Sequence, residues 1–246
     1  MIDTPISAVV LAAGKGSRMG SDLHKVLHEV AGKPMLGHVL DNLQRLDVAR
    51  TVVVVGAARE QIHAAYPHLE TAVQHEQLGT AHAVKMARDA LVGFDGHVLI
   101  LYGDVPLVRA ATMRALCDAL RGDAALAVLG FRPDDTRSYG RLVTDADGRL
   151  LRIVEHADAD AETRALGFCN SGIMAARSDV LFDLLDLVGN DNAKGEYYLT
   201  DIVAHARQAG WSVATAEADP AEVTGVNSQA ELADLNARLA ETGARP

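Results

Sequence analysis

Short runs of β-branched and aliphatic residues alternate along the chain with longer stretches in which apolar positions recur every three or four residues. The short runs predict strands over residues 6–11, 51–55, 71–74 and 97–102, and the longer ones predict helices over 34–46, 60–65 and 80–91. Strands as continuously apolar as Ala8-Val9-Val10-Leu11 and Val52-Val53-Val54-Val55 suit a parallel sheet covered on both faces. The expected fold is therefore α/β, a Rossmann-like doubly wound sheet. A helical pattern over 112–120 is followed by a change of rhythm: 124–131, 140–144, 150–155 and 167–175 read as strands with fewer helices between them, a mixed-sheet continuation. Helical periodicity returns over 178–187 and 198–209. It returns again over 228–241, behind Asn227 and Ser228 as cap candidates.

At 246 residues the chain suits one large domain or two small ones, and 49% hydrophobic with 23% charged residues describes a chain able to bury a sizeable core. No apolar stretch approaches the roughly 18 residues of a membrane span. The net charge of −10 repels a polyphosphate backbone, so nucleic acid is not the expected partner. The cysteines, Cys117 and Cys169, are far apart and form no CxxC motif, which points to a reducing cytoplasm. Cys117 lies in a helical pattern with no base beside it and reads as a small buried hydrophobe.

Candidate chemistry sits where open α/β sheets bind ligands, at the carboxyl ends of strands. After the first strand comes Leu11-Ala12-Ala13-Gly14-Lys15-Gly16-Ser17-Arg18-Met19-Gly20. A dinucleotide fingerprint requires glycine where Met19 stands, and Walker A spacing occurs nowhere. What remains is a glycine turn able to point backbone N–H groups at an anion, flanked by Lys15, Arg18 and Lys25 with Asp22 opposing: a local cationic patch on an acidic protein. After the fourth strand, Tyr102-Gly103-Asp104-Val105-Pro106 presents a carboxylate at the same edge. One or two such carboxylates beside a phosphate-binding loop suffice for Mg²⁺. His24 and His28 lack a third clustered ligand and read as solvated loop histidines rather than a zinc site.

These residues resemble the sugar nucleotidyltransferases. In particular they resemble the uridyltransferase half of the bacterial bifunctional N-acetylglucosamine-1-phosphate uridyltransferase/glucosamine-1-phosphate acetyltransferases. The glycine loop, Lys25-Val26-Leu27 and Ala31-Gly32-Lys33-Pro34 are shared by many nucleotidyltransferases. Subfamily character comes from Glu76-Gln77-Leu78-Gly79-Thr80-Ala81-His82-Ala83, Tyr102-Gly103-Asp104-Val105-Pro106-Leu107, Tyr139-Gly140-Arg141, Ile153-Val154-Glu155-His156, Asn192-Ala193-Lys194-Gly195-Glu196-Tyr197-Tyr198-Leu199-Thr200-Asp201-Ile202 and Gly225-Val226-Asn227, which span nearly the whole chain.

The resemblance implies a mostly parallel mixed sheet of the nucleotidyltransferase type and residue roles to match. Leu11, Ala12, Ala13 and Gly14, with Gln74, Gly79 and Thr80, would hold the uridine. Arg18 and Lys25 would contact the triphosphate and the transferring phosphoryl, and Asp104 and Asn227 would bind Mg²⁺. Gly140, Glu155 and Asn170 would line the sugar pocket, bordered by Tyr102 and Gly103. The implied partners are UTP, N-acetylglucosamine 1-phosphate, UDP-N-acetylglucosamine and pyrophosphate. It also implies a transferase domain over 1–227 and a connecting helix over 228–246, with the left-handed β-helix acetyltransferase domain absent. Acetyltransferase activity and the trimer formed by that half are then not expected, leaving a monomer or weak oligomer. His24 stands where relatives often carry proline before Lys25, which predicts a less rigid loop, and Ser171 stands where threonine is usual. Rival readings are transfer of another base or sugar, a non-catalytic sugar-nucleotide sensor, and a nicotinamide oxidoreductase, against which the displaced Gly20 argues.

Overall fold

The computed structural model describes residues 4–14, 16–136 and 138–242, so Lys15 of the cationic patch and the last residues of the C-terminal segment lie outside the described residues. The strands are β1 (Ile6–Ala12), β2 (Glu29–Val30), β3 (Lys33–Pro34), β4 (Arg50–Val55), β5 (Glu70–Val73), β6 (His97–Tyr102), β7 (Ala124–Phe131), β8 (Arg141–Thr144), β9 (Leu150–Val154), β10 (Cys169–Arg177) and β11 (Ser212–Glu217). The helices are α1 (Met35–Leu46), α2 (Arg59–Ala65), α3 (Thr80–Lys85), α4 (Ala110–Asp118), α5 (Ala161–Arg164), α6 (Ser178–Asp186), α7 (Ile202–Gln208), α8 (Pro220–Val223) and α9 (Gln229–Thr242).

The main sheet runs β11-β7-β10-β6-β1-β4-β5, with the β8–β9 hairpin attached to β10. Strands β6, β1, β4 and β5 are mutually parallel, β10 runs antiparallel to both its neighbours, and β11 is parallel to β7. The mixed, mostly parallel sheet expected from the sequence is the one observed. Every residue of β1 is buried, because β1 lies between β4 and β6 with helices on both faces. Alternation along the strands then divides the interior in two. Val9, Leu11, Val52, Val54 and Ile100 join one core with Val84 of α3, Leu181 of α6 and Val203 of α7. Val10, Ala12, Val53, Val55 and Leu101 face Leu36, Val39 and Leu43 of α1 and Met113 and Leu116 of α4. Each such aliphatic side chain contributes about 1.5–3 kcal/mol through burial, so a charge at Val9 or Val10 would disrupt one entire layer.

The structure corrects several boundaries. The helix expected over 80–91 is α only through Lys85. It then tightens into turns in which Ala87 N–H donates to the Val84 carbonyl at 3.0 Å and Arg88 N–H to the Lys85 carbonyl at 3.1 Å. The tighter winding buries both Ala87 and Leu91 while Arg88 reaches Asp186 on α6. Pro34 belongs to the β2–β3 hairpin, and α1 begins after it. β11 is a strand the periodicity did not reveal, since Ser212–Glu217 is a half-buried edge of small and polar residues without an apolar run. Cys117 is buried, and that burial pushes its thiol up to about 12. His24 and His28 are buried rather than solvated. The His24 ring accepts from Val26 N–H and its backbone N–H donates to Gln61 Oε1 at 2.7 Å, so the position is tied to its surroundings. Burial, with the neighbouring Lys25 charge, lowers its pKa and so disfavours the charged imidazole. No group of three or more metal-ligating side chains occurs among the described residues, and no described helix is long and apolar enough to cross a membrane.

Candidate active site

Strand order reverses at the β1/β6 pair: the chain leaves β1 toward β4 and β5 on one side, then returns to β6 on the other. The two strand ends separate there and open a crevice, the position at which α/β sheets bind ligands. Gly103 N–H donates to the Leu11 carbonyl at 2.9 Å and closes the floor. The cleft above it has a volume of about 240 Å³ and is walled by Leu11, Ala12, Ala13 and Gly14 from the first loop. Gln74, Gly79 and Thr80 stand on the opposite wall, and Tyr102, Asp104 and Lys25 at the end of β6. Ten residues assigned from sequence thus converge on one cavity.

Local folding explains the walls. Gly16 adopts φ 59°, and a Cβ there would lie 2.7 Å from Lys25 Cβ, so the glycine lets the loop close onto Lys25. Gly79 adopts φ 122°, and the loop around it is strapped by a later segment. Tyr197 N–H donates to the Leu78 carbonyl at 2.8 Å, Ala81 N–H to the Tyr197 carbonyl at 2.9 Å, and Leu199 N–H to Thr80 Oγ1 at 2.9 Å. The buried Gln74 side chain donates through Nε2 to the Gly79 carbonyl at 3.0 Å and lies 3.1 Å from His82 Nδ1.

At the mouth of the cleft four assigned side chains meet. The Lys25 ammonium forms an ion pair with Asp104 Oδ2 and donates to Asn227 Oδ1 at 2.8 Å, and Arg18 Nη2 donates to the same Asn227 oxygen at 3.1 Å. The Lys25 and Asp104 side chains are only 11% and 20% exposed, which places the pair in a reduced-dielectric setting. Asp104 and Asn227 lie far apart in sequence, yet their oxygens converge on one cationic group. A donor set of two hard oxygens that already meets on a positive charge fits Mg²⁺, which usually retains waters and substrate oxygens for its other positions. Val226 N–H donates to the Asp104 carbonyl at 3.0 Å and ties the two segments together.

The three residues assigned to a sugar pocket form a second, adjoining group. Strand β10 shifts register between Asn170 and Met174. At this irregularity Asn170 N–H donates to the Gly140 carbonyl at 2.9 Å, and Asn170 Oδ1 accepts from Gly172 N–H at 3.0 Å. Gly140 faces Glu155, whose carboxylate oxygens would stand 3.5 Å from a Cβ there. Thr200 Oγ1 donates to Glu155 Oε1 at 3.2 Å, and Glu155 borders a hollow of its own with Asp158, Asn192 and Tyr198. Burial raises the Glu155 pKa, opposed by the Thr200 hydroxyl and Lys194 and reinforced by Asp201 and Asp158. Tyr102 lies between the two groups. Its phenol is hydrogen-bonded with Thr80, and its pKa is raised first by burial and then by Glu155 and Asp104.

Sequence reasoning assigned no role to Gln77, Glu196 or Thr200. Gln77 donates through Nε2 to the Ala13 carbonyl at 2.5 Å, clasping the two walls, and Glu196 lines the cleft. All three lie inside the motifs that carry the resemblance, which was the available signal.

A family model described as the MobA-like NTP transferase domain matches residues 8–182. The chain is 57% identical over 241 residues to the bifunctional protein GlmU of Rhizorhabdus wittichii, covering 96% of this chain and 53% of that protein. It is 55% identical over 241 residues to the bifunctional protein GlmU of Novosphingobium aromaticivorans and 55% identical over 240 residues to that of Sphingopyxis alaskensis, with the same 96% and 53% coverage. The chain therefore spans about half the length of the curated relatives it matches. With the glycine loop, the switch-point cleft and the Lys25–Asp104–Asn227 cluster in one place, it belongs to the MobA-like NTP transferase domain family.

Proposed function

We propose that the chain transfers a uridylyl group from UTP to N-acetyl-α-D-glucosamine 1-phosphate, giving UDP-N-acetylglucosamine and pyrophosphate. The observation that carries this reading is the meeting of Arg18, Lys25, Asp104 and Asn227 between a cleft of nucleoside size and the adjoining Gly140–Glu155–Asn170 group. That arrangement suits a phosphoanhydride whose base lies on one side and whose incoming sugar lies on the other.

Gln74 supports uracil. Its Nε2 is committed to the Gly79 carbonyl and His82, which leaves the amide oxygen to accept from the N3–H of uracil. Cytosine has no hydrogen at that position, so a buried acceptor there would face another acceptor. Glu155 and Asn170 supply an acceptor and an amide for the sugar hydroxyls and the N-acetyl group. The sugar phosphate oxygen attacks the α-phosphorus in line: a new P–O bond forms, the bond to the β-phosphate oxygen breaks, and pyrophosphate departs with its electron pair. The nucleophile is already ionised, so no general base is required. Arg18 and Lys25 lower the barrier by matching the charge that develops on the phosphoryl oxygens and the leaving group, and the walls hold the two substrates in register. Asp104 and Asn227 would hold Mg²⁺, which when bound supplies Lewis-acid charge to phosphate oxygens.

Competition for turnover among UTP, dTTP, CTP and GTP tests the base assignment. UTP is expected to dominate, with CTP poorer by orders of magnitude; comparable turnover with CTP would remove the role given to Gln74. The sensor reading would be favoured by tight UDP-N-acetylglucosamine binding with no turnover of any nucleotide.

A further inference from the structure

We infer that Glu231, on the first turn of α9, is a positioning residue for the site: it fixes the backbone of Asn227 and so aims the Asn227 side chain at Asp104. The Asn227 N–H donates to Glu231 Oε2 at 2.6 Å. The carboxylate is held in place from its own end, because Glu231 N–H donates to Ser228 Oγ at 3.2 Å and Leu232 N–H to the Ser228 carbonyl at 3.0 Å. This is a Ser-x-x-Glu capping arrangement displaced by one residue, with the carboxylate reaching back past Ser228 to Asn227. A charged acceptor at that distance makes a strong hydrogen bond to a backbone N–H. Without it, the Asn227 backbone N–H would lose this acceptor, and the residue would be held through its side chain by Lys25 and Arg18.

The helix itself is anchored to the rest of the site. Leu232 and Leu235 pack with Val226 and with Met19, the residue after Arg18. The Asn236 side chain accepts from Ala31 N–H at 2.8 Å and donates to the Glu29 carbonyl at 3.2 Å, gripping the β2–β3 hairpin that follows Lys25. Asn227, Arg18 and Lys25 are thus each one short step from the same helix, so α9 belongs to the site's framework rather than only connecting it to something further along. Glu231 is the member of that framework bonded to a residue proposed to bind metal.

The inference rests on the proposed Asp104–Asn227 pair, and the experiment separates the two. Binding of UDP-N-acetylglucosamine would be measured calorimetrically, with and without Mg²⁺, for the wild-type chain, Glu231→Ala and Glu231→Gln, with thermal unfolding recorded alongside. Outer partners of metal ligands typically alter metal affinity about 10- to 100-fold. Glu231→Ala is expected to lose about tenfold of the Mg²⁺-dependent gain while its metal-free affinity stays within about twofold of wild type. Glu231→Gln, whose amide oxygen can still accept from Asn227 N–H, is expected to recover most of that gain. A full gain in Glu231→Ala, or an equal loss with and without metal, would overturn the inference and leave the metal pair standing. No gain in the wild-type chain would overturn the metal assignment and the inference together.

Discussion

Gly79 offers the sharpest test of how the nucleotide wall is built. Its φ of 122° and ψ of 177° lie in a region open essentially to glycine alone, and a Cβ there would stand 2.5 Å from the Tyr197 oxygen and 2.7 Å from the Tyr197 nitrogen. Both contacts are backbone, so no side-chain rotation relieves them. In Gly79→Ala, Tyr197 must withdraw, which breaks its bonds to the Leu78 carbonyl and the Ala81 N–H. Strained backbone costs about 1–3 kcal/mol, and each lost hydrogen bond about 0.5–1.5 kcal/mol. A loss of roughly 2–6 kcal/mol follows, against a typical total of about 5–15 kcal/mol. Gly93→Ala provides the control: φ is 76° and no heavy atom lies within 4 Å of the added carbon, so only the backbone cost of about 1–2 kcal/mol applies. Urea denaturation followed by circular dichroism would compare the two variants. Because the Gly79 carbonyl also positions Gln74, Gly79→Ala should raise the KM for UTP as well. A stability loss no larger than that of Gly93→Ala, together with an unchanged KM, would refute the strap.

Other expectations concern the chemistry. Arg18→Ala should lower kcat about 10²-fold with a smaller change in KM, since the guanidinium is assigned to charge that develops during transfer; steady-state kinetics with an unchanged kcat would end that role. Glu155 binds its proton more tightly in the folded chain than in the unfolded one, so stability should fall as pH rises from the ordinary carboxylate range through its raised value and stay level above it. Glu155→Gln should flatten that limb in thermal unfolding measured across pH. The ionised carboxylate is the stronger acceptor, so the wild-type KM for the sugar phosphate should rise as pH falls through the same window. A Glu155→Gln variant with the wild-type KM would contradict the pocket assignment.

Much of the fold was legible because it rests on apolar runs: β1, β4 and β6 are buried on both faces and read as such. The two-residue hairpin β2–β3 and the edge strand β11 were not, since neither carries enough apolar pattern to stand out from loop sequence. The break in the helix after Lys85 was hidden for the opposite reason: the pattern over 80–91 stays amphipathic, and the tightening comes from packing against α6. In the site, the glycine loop and Asp104 were visible from position alone, at the ends of two strands. That Asn227 meets Asp104 was not, because the contact depends on a bond between Val226 and Asp104 more than a hundred residues apart in sequence. The convergence of Gly140, Glu155 and Asn170 depends likewise on strand pairing, Arg141 of β8 lying opposite Val154 of β9 and Cys169 of β10, which no local periodicity encodes. For these three the resemblance supplied what the pattern of residues could not. The burial of His24 and His28 ran against their reading as solvated, though both do lie in the loop, since a polar residue between short turns gives no sign of being covered.

Pyrophosphate release from the purified chain tests the central claim most directly, measured with UTP and N-acetylglucosamine 1-phosphate in Mg²⁺ or in EDTA. Parallel reactions would substitute glucose 1-phosphate or glucosamine 1-phosphate. Rapid release that requires both the metal and the acetylated sugar phosphate is the predicted result. Equal release with every sugar phosphate would contradict the pocket formed by Glu155 and Asn170. No release with any of them, despite nucleotide binding, would contradict the assignment of a uridylyltransferase to this chain.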